Sequence, residues 1–240
     1  MSIDPAVILV LLLALSWHEA AHAWVADRLG DPTARELGRI SLNPLRHLDP
    51  FLSVVLPVAV FLMSAGTMIF GGGKPVPIQP SYFRQPSRDF MLVALAGPGS
   101  NLALALLAVV LFAVGSWSGL FPPEAVDMGY GEVRYATTTL QEAGDGGFLA
   151  RTLYWGVFIN VLLAAFNLIP VPPLDGSRVV GWLLPGPLKR SWYSLDRYGL
   201  LILLVIFYWL DGLRYLTMVF VPIYNAFADL STWLLALVPP

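Results

Sequence analysis

The 240-residue sequence contains no cysteine and little charge, with 14 Lys and Arg and 16 Asp and Glu making up 12% of the chain. Without cysteine there are neither disulfides nor thiolate metal sites, so any metal must be held by His, Asp or Glu. The shortage of charge matters more than the 57% share of hydrophobic residues. A soluble domain carries about 25% charged residues, and half that number cannot build a water-facing shell. A formal net charge of −2 and the lack of any basic run exclude the electrostatic footprint of a nucleic-acid binder. There are only three histidines, so their placement is informative.

What is present fits an all-α polytopic membrane protein with five to six membrane-embedded helices. It reads as a single integral-membrane domain over 1–240, with a core over about 5–198 and C-terminal helices over about 199–240. The first segment runs from Pro5 to Leu29, with no charge between Asp4 and His18. It is long enough to cross a bilayer, which takes about 20 residues. No basic region precedes it, and cleavage near its end would discard the histidine motif, so it reads as a retained helix. The second segment, Phe51 to Phe70, is interrupted by Pro57 and Gly66. Residues 71–78 are rich in Gly and Pro and favour an extended path. Residues 81–89 read as a short interfacial helix. The remaining expected helices run from Phe90 to Trp117, Phe148 to Ile169, Gly199 to Val221 and Ile223 to Val238, with a mixed, basic connection over 177–198.

Charge sorts the loops. Arg28, Arg35, Arg39, Arg46, Lys74, Arg84 and Arg88 lie between the first and third segments, and Arg178, Lys189, Arg190 and Arg197 follow the fourth. The 118–147 loop is acidic, with Arg134 its one basic residue. The positive-inside rule places the basic loops in the cytoplasm of a multi-pass cell-membrane protein. The second segment must then return to the side it left, as a re-entrant or short β element. Such backbone is tolerated at membrane depth where it lines a wet cavity.

The sequence His18-Glu19-Ala20-Ala21-His22 interrupts the first apolar segment. Two histidines four apart stack on one helix face and can reach a single ion. Glu19 lies beside the same site, placed to handle the proton of a water. Ionisable groups in a membrane segment are costly and mark function. A catalytic zinc needs a third protein ligand and an open position, and the candidates are His47, Asp49, Asp175, Asp196 and Asp211. Asp175 fits the topology best, because the first and fourth segments end on the same side. Pro170, Pro172 and Pro173 break the chain just before it, and Gly176 permits a tight turn. An ordinary turn after a helix is the alternative for Asp175, as loop hydrogen bonding is for His47. Asn167 can equally bond the last carbonyls of its helix, Asn101 reads first as an interhelical hydrogen bond, and Asp211 with Arg214 as a paired structural contact.

The chain resembles the site-2 proteases, intramembrane zinc metalloproteases of peptidase family M50. The resemblance rests on His18-Glu19-x-x-His22 and on Asn167-x-x-Pro170-x-Pro172-x-x-Asp175-Gly176. Gly38–Pro44, Lys74–Pro77 and Ala96-Gly97-Pro98-x-x-Asn101 are similar to the compact bacterial branch lacking PDZ and CBS domains. It implies His18, His22 and Asp175 as ligands of one Zn2+, Glu19 as catalytic base and Asn167 as an oxyanion donor. The implied activity is cleavage of peptide bonds in or near transmembrane segments of membrane-protein substrates, for regulated proteolysis or peptide clearance, with any substrate filter in the membrane core or in a regulatory membrane partner. Asn101, Gly38, Ile40, Pro75 and Val76 are expected to contact substrate, the extended pieces offering it a strand edge. The rival reading is a non-proteolytic zinc transporter or scaffold, which would want polar groups strung along a path through the bilayer.

Overall fold

A computed structural model describes residues 4–51, 55, 72–120 and 144–237. Helix α1 (Pro5–Arg28) starts where the Asp4 carboxylate accepts from the Ala6 N–H at 3.0 Å and Pro5 needs no partner for its missing N–H. Helices α2 (Pro86–Trp117) and α3 (Gly144–Leu168) follow. Two short helices, α4 (Gly176–Leu183) and α5 (Gly186–Ser194), come next, then α6 (Gly199–Trp209) and α7 (Gly212–Ala236). Four helices are long and apolar enough to cross a membrane: α1, α2, the Gly147–Leu168 part of α3, and α7. Their outward residues are large and apolar, including Leu9, Leu11 and Leu13 on α1 and Leu107, Val110 and Leu111 on α2.

Side-chain contacts give the packing direction. His22 meets Val93 and Ala14 meets Asn101, so α2 runs antiparallel to α1. Arg151 pairs with Asp4 at 3.1 Å, Val10 and Ala14 pack on Ile159, and His18 and His22 face Asp175, so α3 runs parallel to α1. The buried face of α2 is built largely from Ala94, Gly97, Asn101, Ala105 and Ala108. Small residues let helix backbones approach, which favours association where no hydrophobic force acts between helices. α7 closes the bundle from outside, with Phe220 and Tyr224 against Phe158 of α3.

Several boundaries differ from the sequence reading. The 81–89 stretch is no separate helix, since α2 starts at Pro86 after a single turn at Pro80–Tyr82. The basic 177–198 connection is helical, forming α4, α5 and a turn over Leu195–Tyr198. The break expected near Pro222 falls at Asp211, whose φ of 55° lies in the left-handed region; Pro222 sits within α7. The backbone thus turns at the Asp-Gly step, where Gly212 avoids a Cβ 2.8 Å from the Phe207 Cα. α6, at 11 residues, is too short to cross a core about 30 Å thick.

Among the described residues there is no β-strand. Pro75 and Pro77 lack the N–H groups a ladder needs, and the 72–79 segment is instead tied down singly. Arg39 donates to the Lys74 carbonyl, and the Lys74 N–H donates to the His47 carbonyl at 2.7 Å. His47 is fully buried and bonds the Ser41 carbonyl through Nε2 at 2.6 Å, the loop role expected for it. The re-entrant path expected for 51–70 and most of the 118–147 loop lie outside the described residues.

Asp31 is wholly buried at the exit of α1 and gathers three donors. Its carboxylate accepts from the Thr33 N–H and hydroxyl at 3.0 and 2.5 Å and from the Gln79 N–H at 2.6 Å. Orphaning buried donors costs about 1–3 kcal/mol each. Asp31→Ala should therefore lower the tryptophan-fluorescence melting point in detergent by about 4–8 °C; an unchanged midpoint would remove Asp31 from this role.

Candidate metal centre

His18 and His22, one turn apart on α1, bring their Nε2 atoms to 3.0 Å of each other. The Asp175 Oδ2 lies 3.2 Å from the first and 3.4 Å from the second. Protons can be assigned from the partners. His22 Nδ1 is 2.7 Å from the Val93 carbonyl oxygen, which only accepts, so this nitrogen carries the hydrogen. His18 Nδ1 is 2.6 Å from the Asn101 Oδ1, and Asn101 uses its amide N–H groups on the Ala14 carbonyl and the Asn160 Oδ1, at 3.2 and 2.9 Å. In its neutral form each imidazole would therefore turn a lone pair inward, as a metal ligand must.

The two Nε2 atoms and the Asp175 Oδ2 thus converge on one point, and the Oδ2, itself out of contact with solvent, makes no hydrogen bond of good geometry. Such a triangle of donor atoms suits a bound cation. Zinc bound at about 2.0–2.1 Å in a tetrahedron has ligand–ligand edges of about 3.3 Å, matching the separations of 3.0, 3.2 and 3.4 Å. His18, His22 and Asp175 are the one His and carboxylate group among the described residues with this arrangement. Three protein ligands leave a fourth position open, as catalytic zinc requires.

The surroundings fit around these rings. A Cβ on Gly97 would sit 2.5 Å from both His18 Cε1 and His22 Nε2, so α2 passes the imidazoles only with glycine there. Asp175 is delivered by the turn after α3. A Cβ on Gly176 would lie 2.3 Å from the Leu168 carbonyl oxygen, so the turn folds hard against the end of α3. Leu174 anchors it among Ile169 and Leu203.

The metal group opens into a cavity of about 320 Å³ lined by Glu19, Pro75, Val76, Asn167 and Arg178 among others. Glu19 is half-buried at its edge. Asn167 donates one amide hydrogen to the Leu163 carbonyl at 2.9 Å; the amide carries a second. Of the remaining residues singled out from the sequence, Asn101 is fully buried behind His18 and does not line the cavity. Ile40 lines a separate groove between α1 and α2, and Gly38 occupies a turn with φ of 66°. Asp196 pairs with Arg178 at 2.7 Å. Arg214 bonds the Asp211 carbonyl through its backbone N–H at 2.9 Å, and among the described residues the two side chains form no ion pair.

Three contributors escaped the sequence reading. Asn160 closes the polar chain by donating to the Gly156 carbonyl at 2.8 Å. An asparagine inside an apolar helix was the available signal. Arg178, three residues after Asp175 and stacked near Phe90 and Tyr193, is the one Lys or Arg lining the cavity among the described residues. Gly97 was visible only as part of a motif.

The model of the family described as "Peptidase family M50" matches residues 6–206. A Bacillus subtilis protein named "Putative zinc metalloprotease YwhC" is 33% identical over 86% of this chain and 82% of its own length. Proteins named "Putative zinc metalloprotease Rip2" are 30% identical, from Mycolicibacterium smegmatis over 81% of this chain and 63% of theirs, and from Mycobacterium tuberculosis over 82% and 64%. No solved structure gives a significant match. With both halves of its metal group inside the matched region, the chain belongs to peptidase family M50 and is a zinc metalloprotease of the membrane.

Proposed function

We propose that this protein is an intramembrane endopeptidase that cuts peptide bonds in or near transmembrane segments of other membrane proteins. The observation that carries this reading is the position of the metal group. It lies between helices long and apolar enough to cross a bilayer, six residues from the end of α1, in a cavity that admits polar groups. Loop charge favours an active site near the cytoplasmic side of the cell membrane, because the chain around the ends of α1 and α3 is basic and the 118–147 loop is acidic. The gathering of polar side chains in one cavity, beside an α6 that is almost wholly apolar, speaks against transport.

His18, His22 and Asp175 would hold a zinc ion, whose Lewis acidity lowers the pKa of a bound water to about 7 and polarises a carbonyl. Glu19 accepts the proton of the attacking water and returns it to the departing amine. Asn167 offers its second amide hydrogen to the oxygen on which charge develops; one such donor is worth about 2.7–4 kcal/mol in the transition state. Pro75 and Val76 bound the cavity with extended backbone, against which an unwound peptide can lie. A helical substrate must first give up its internal hydrogen bonds, so segments weakened by Gly, Pro, Ser or Asn are preferred.

Glu19→Gln should keep one zinc per chain and lose cleavage of a transmembrane reporter by about 10²–10⁴-fold. Metal content and turnover measured on the same preparation check this, and near-normal turnover would sink the assignment of the base. Asn101→Ala removes the group that orients His18 and should weaken zinc affinity by about 10–100-fold. Competition with a chelator reads that change, and an unaltered affinity would leave Asn101 a packing residue.

A further inference from the structure

Away from the metal cavity, α1 and α2 border two further concavities. One, of about 370 Å³, contains Arg28 at the end of α1 and Arg84 and Arg88 at the start of α2. Among the described residues no carboxylate lies within ion-pair distance of these three guanidinium groups. The nearby Asp89 is buried and accepts from the Gln85 N–H at 3.0 Å. The other is an apolar groove of about 630 Å³, walled by Trp17, Ala21 and Trp24 of α1 and by Ala96, Gly99 and Ala103 of α2.

The two are joined. The Arg28 guanidinium lies 4.8 Å above the Trp24 ring, so the last groove residue touches the first basic one. Residues 17, 21, 24 and 28 follow one face of α1 at helical spacing. On α2, 88, 96, 99 and 103 do the same, running the other way. Cationic groups at the helix ends, an interfacial tryptophan and an apolar channel descending toward the middle of the bilayer form a lipid-shaped sequence of surfaces.

We propose that this seam binds one anionic phospholipid, its phosphate among Arg28, Arg84 and Arg88 and an acyl chain in the groove between α1 and α2. Arginine suits phosphate through its planar fork of donors, and basic pockets between membrane helices take anionic headgroups. The lipid would brace α1 against α2 one to two turns from the His22 to Val93 contact that orients a metal ligand. The inference rests on the membrane reading and not on proteolysis, so it is tested by binding.

The full chain in detergent is titrated with dioleoyl-phosphatidylglycerol, dioleoyl-phosphatidylcholine or inorganic phosphate, following lipid retention by native mass spectrometry and melting by tryptophan fluorescence. Phosphatidylglycerol should be retained and raise the melting point, the other two should not. Each basic residue at an anionic surface contributes about fivefold in affinity. Single Arg28→Gln, Arg84→Gln or Arg88→Gln changes should cost about that much, and the triple change on the order of a hundredfold. A Cβ on Gly99 meets nothing within 4 Å, so Gly99→Leu fills the groove without a clash and should weaken retention while zinc content stays intact. Equal retention of the two lipids, or full retention by the single and triple arginine variants, overturns the site. Equal protection by inorganic phosphate assigns the arginines to a soluble anion and removes the lipid. A Gly99→Leu protein that holds phosphatidylglycerol normally but cleaves poorly would give the groove to a substrate helix.

Discussion

The hydrogen bonds behind the two histidines hold the rest of the molecule in place. On the side away from the cavity, where α1, α2 and α3 pack closely, an unpaired polar group would go unsatisfied, so the outward ring nitrogens of the buried His18 and His22 need partners. The outward nitrogens are committed to Asn101 and to the Val93 carbonyl, and Asn101 passes the connection to Asn160. One chain of contacts thus ties α1, α2 and α3 together. It also selects the tautomer of each neutral ring, leaving the inward nitrogens available to ligate a metal. Metal chemistry and helix association are the same set of bonds seen from opposite sides of the imidazole rings.

That arrangement demands close approach, and close approach explains the composition of α2. Gly97 lies against both rings, and Ala94, Ala105 and Ala108 continue the same narrow face. Bulk is displaced outward, where Leu107, Val110 and Leu111 are exposed. Larger residues on the inner face would separate α1 from α2 and stretch the bonds to Asn101 and Val93. The far end of the seam is closed by charge, with Asp4 capping α1 and reaching Arg151 on α3.

Much of this could be read in the residues alone. His18 and His22 stand four apart in an apolar run, and Asp175 follows a cluster of prolines at the end of a second run, so shared depth could be argued from helix length. The long helices were legible because apolar runs of that length have few other uses. What could not be read depended on distant pairing. Asn101 looks the same in sequence whether it lines a cavity or orients a ring, and only the approach of α1 decides between them. Asp31 reads as a helix-ending residue beside Pro32, although its carboxylate organises Thr33 and Gln79. The break at Asp211 was misplaced because proline is the louder signal. Pro222 is accommodated inside α7, while an Asp-Gly step with left-handed backbone ends α6.

The segment running past the cavity has two different edges. In extended backbone, alternate residues direct their N–H groups to opposite sides. Along such a path Val76 and Ile78 would turn N–H and C=O groups to one side, while Pro75 and Pro77 would offer carbonyls alone to the other. A peptide docked as proposed would pair reciprocally with the first side and only donate to the second. Two prolines in alternation would thus let the segment seat a single extended chain without becoming a template for sheet growth.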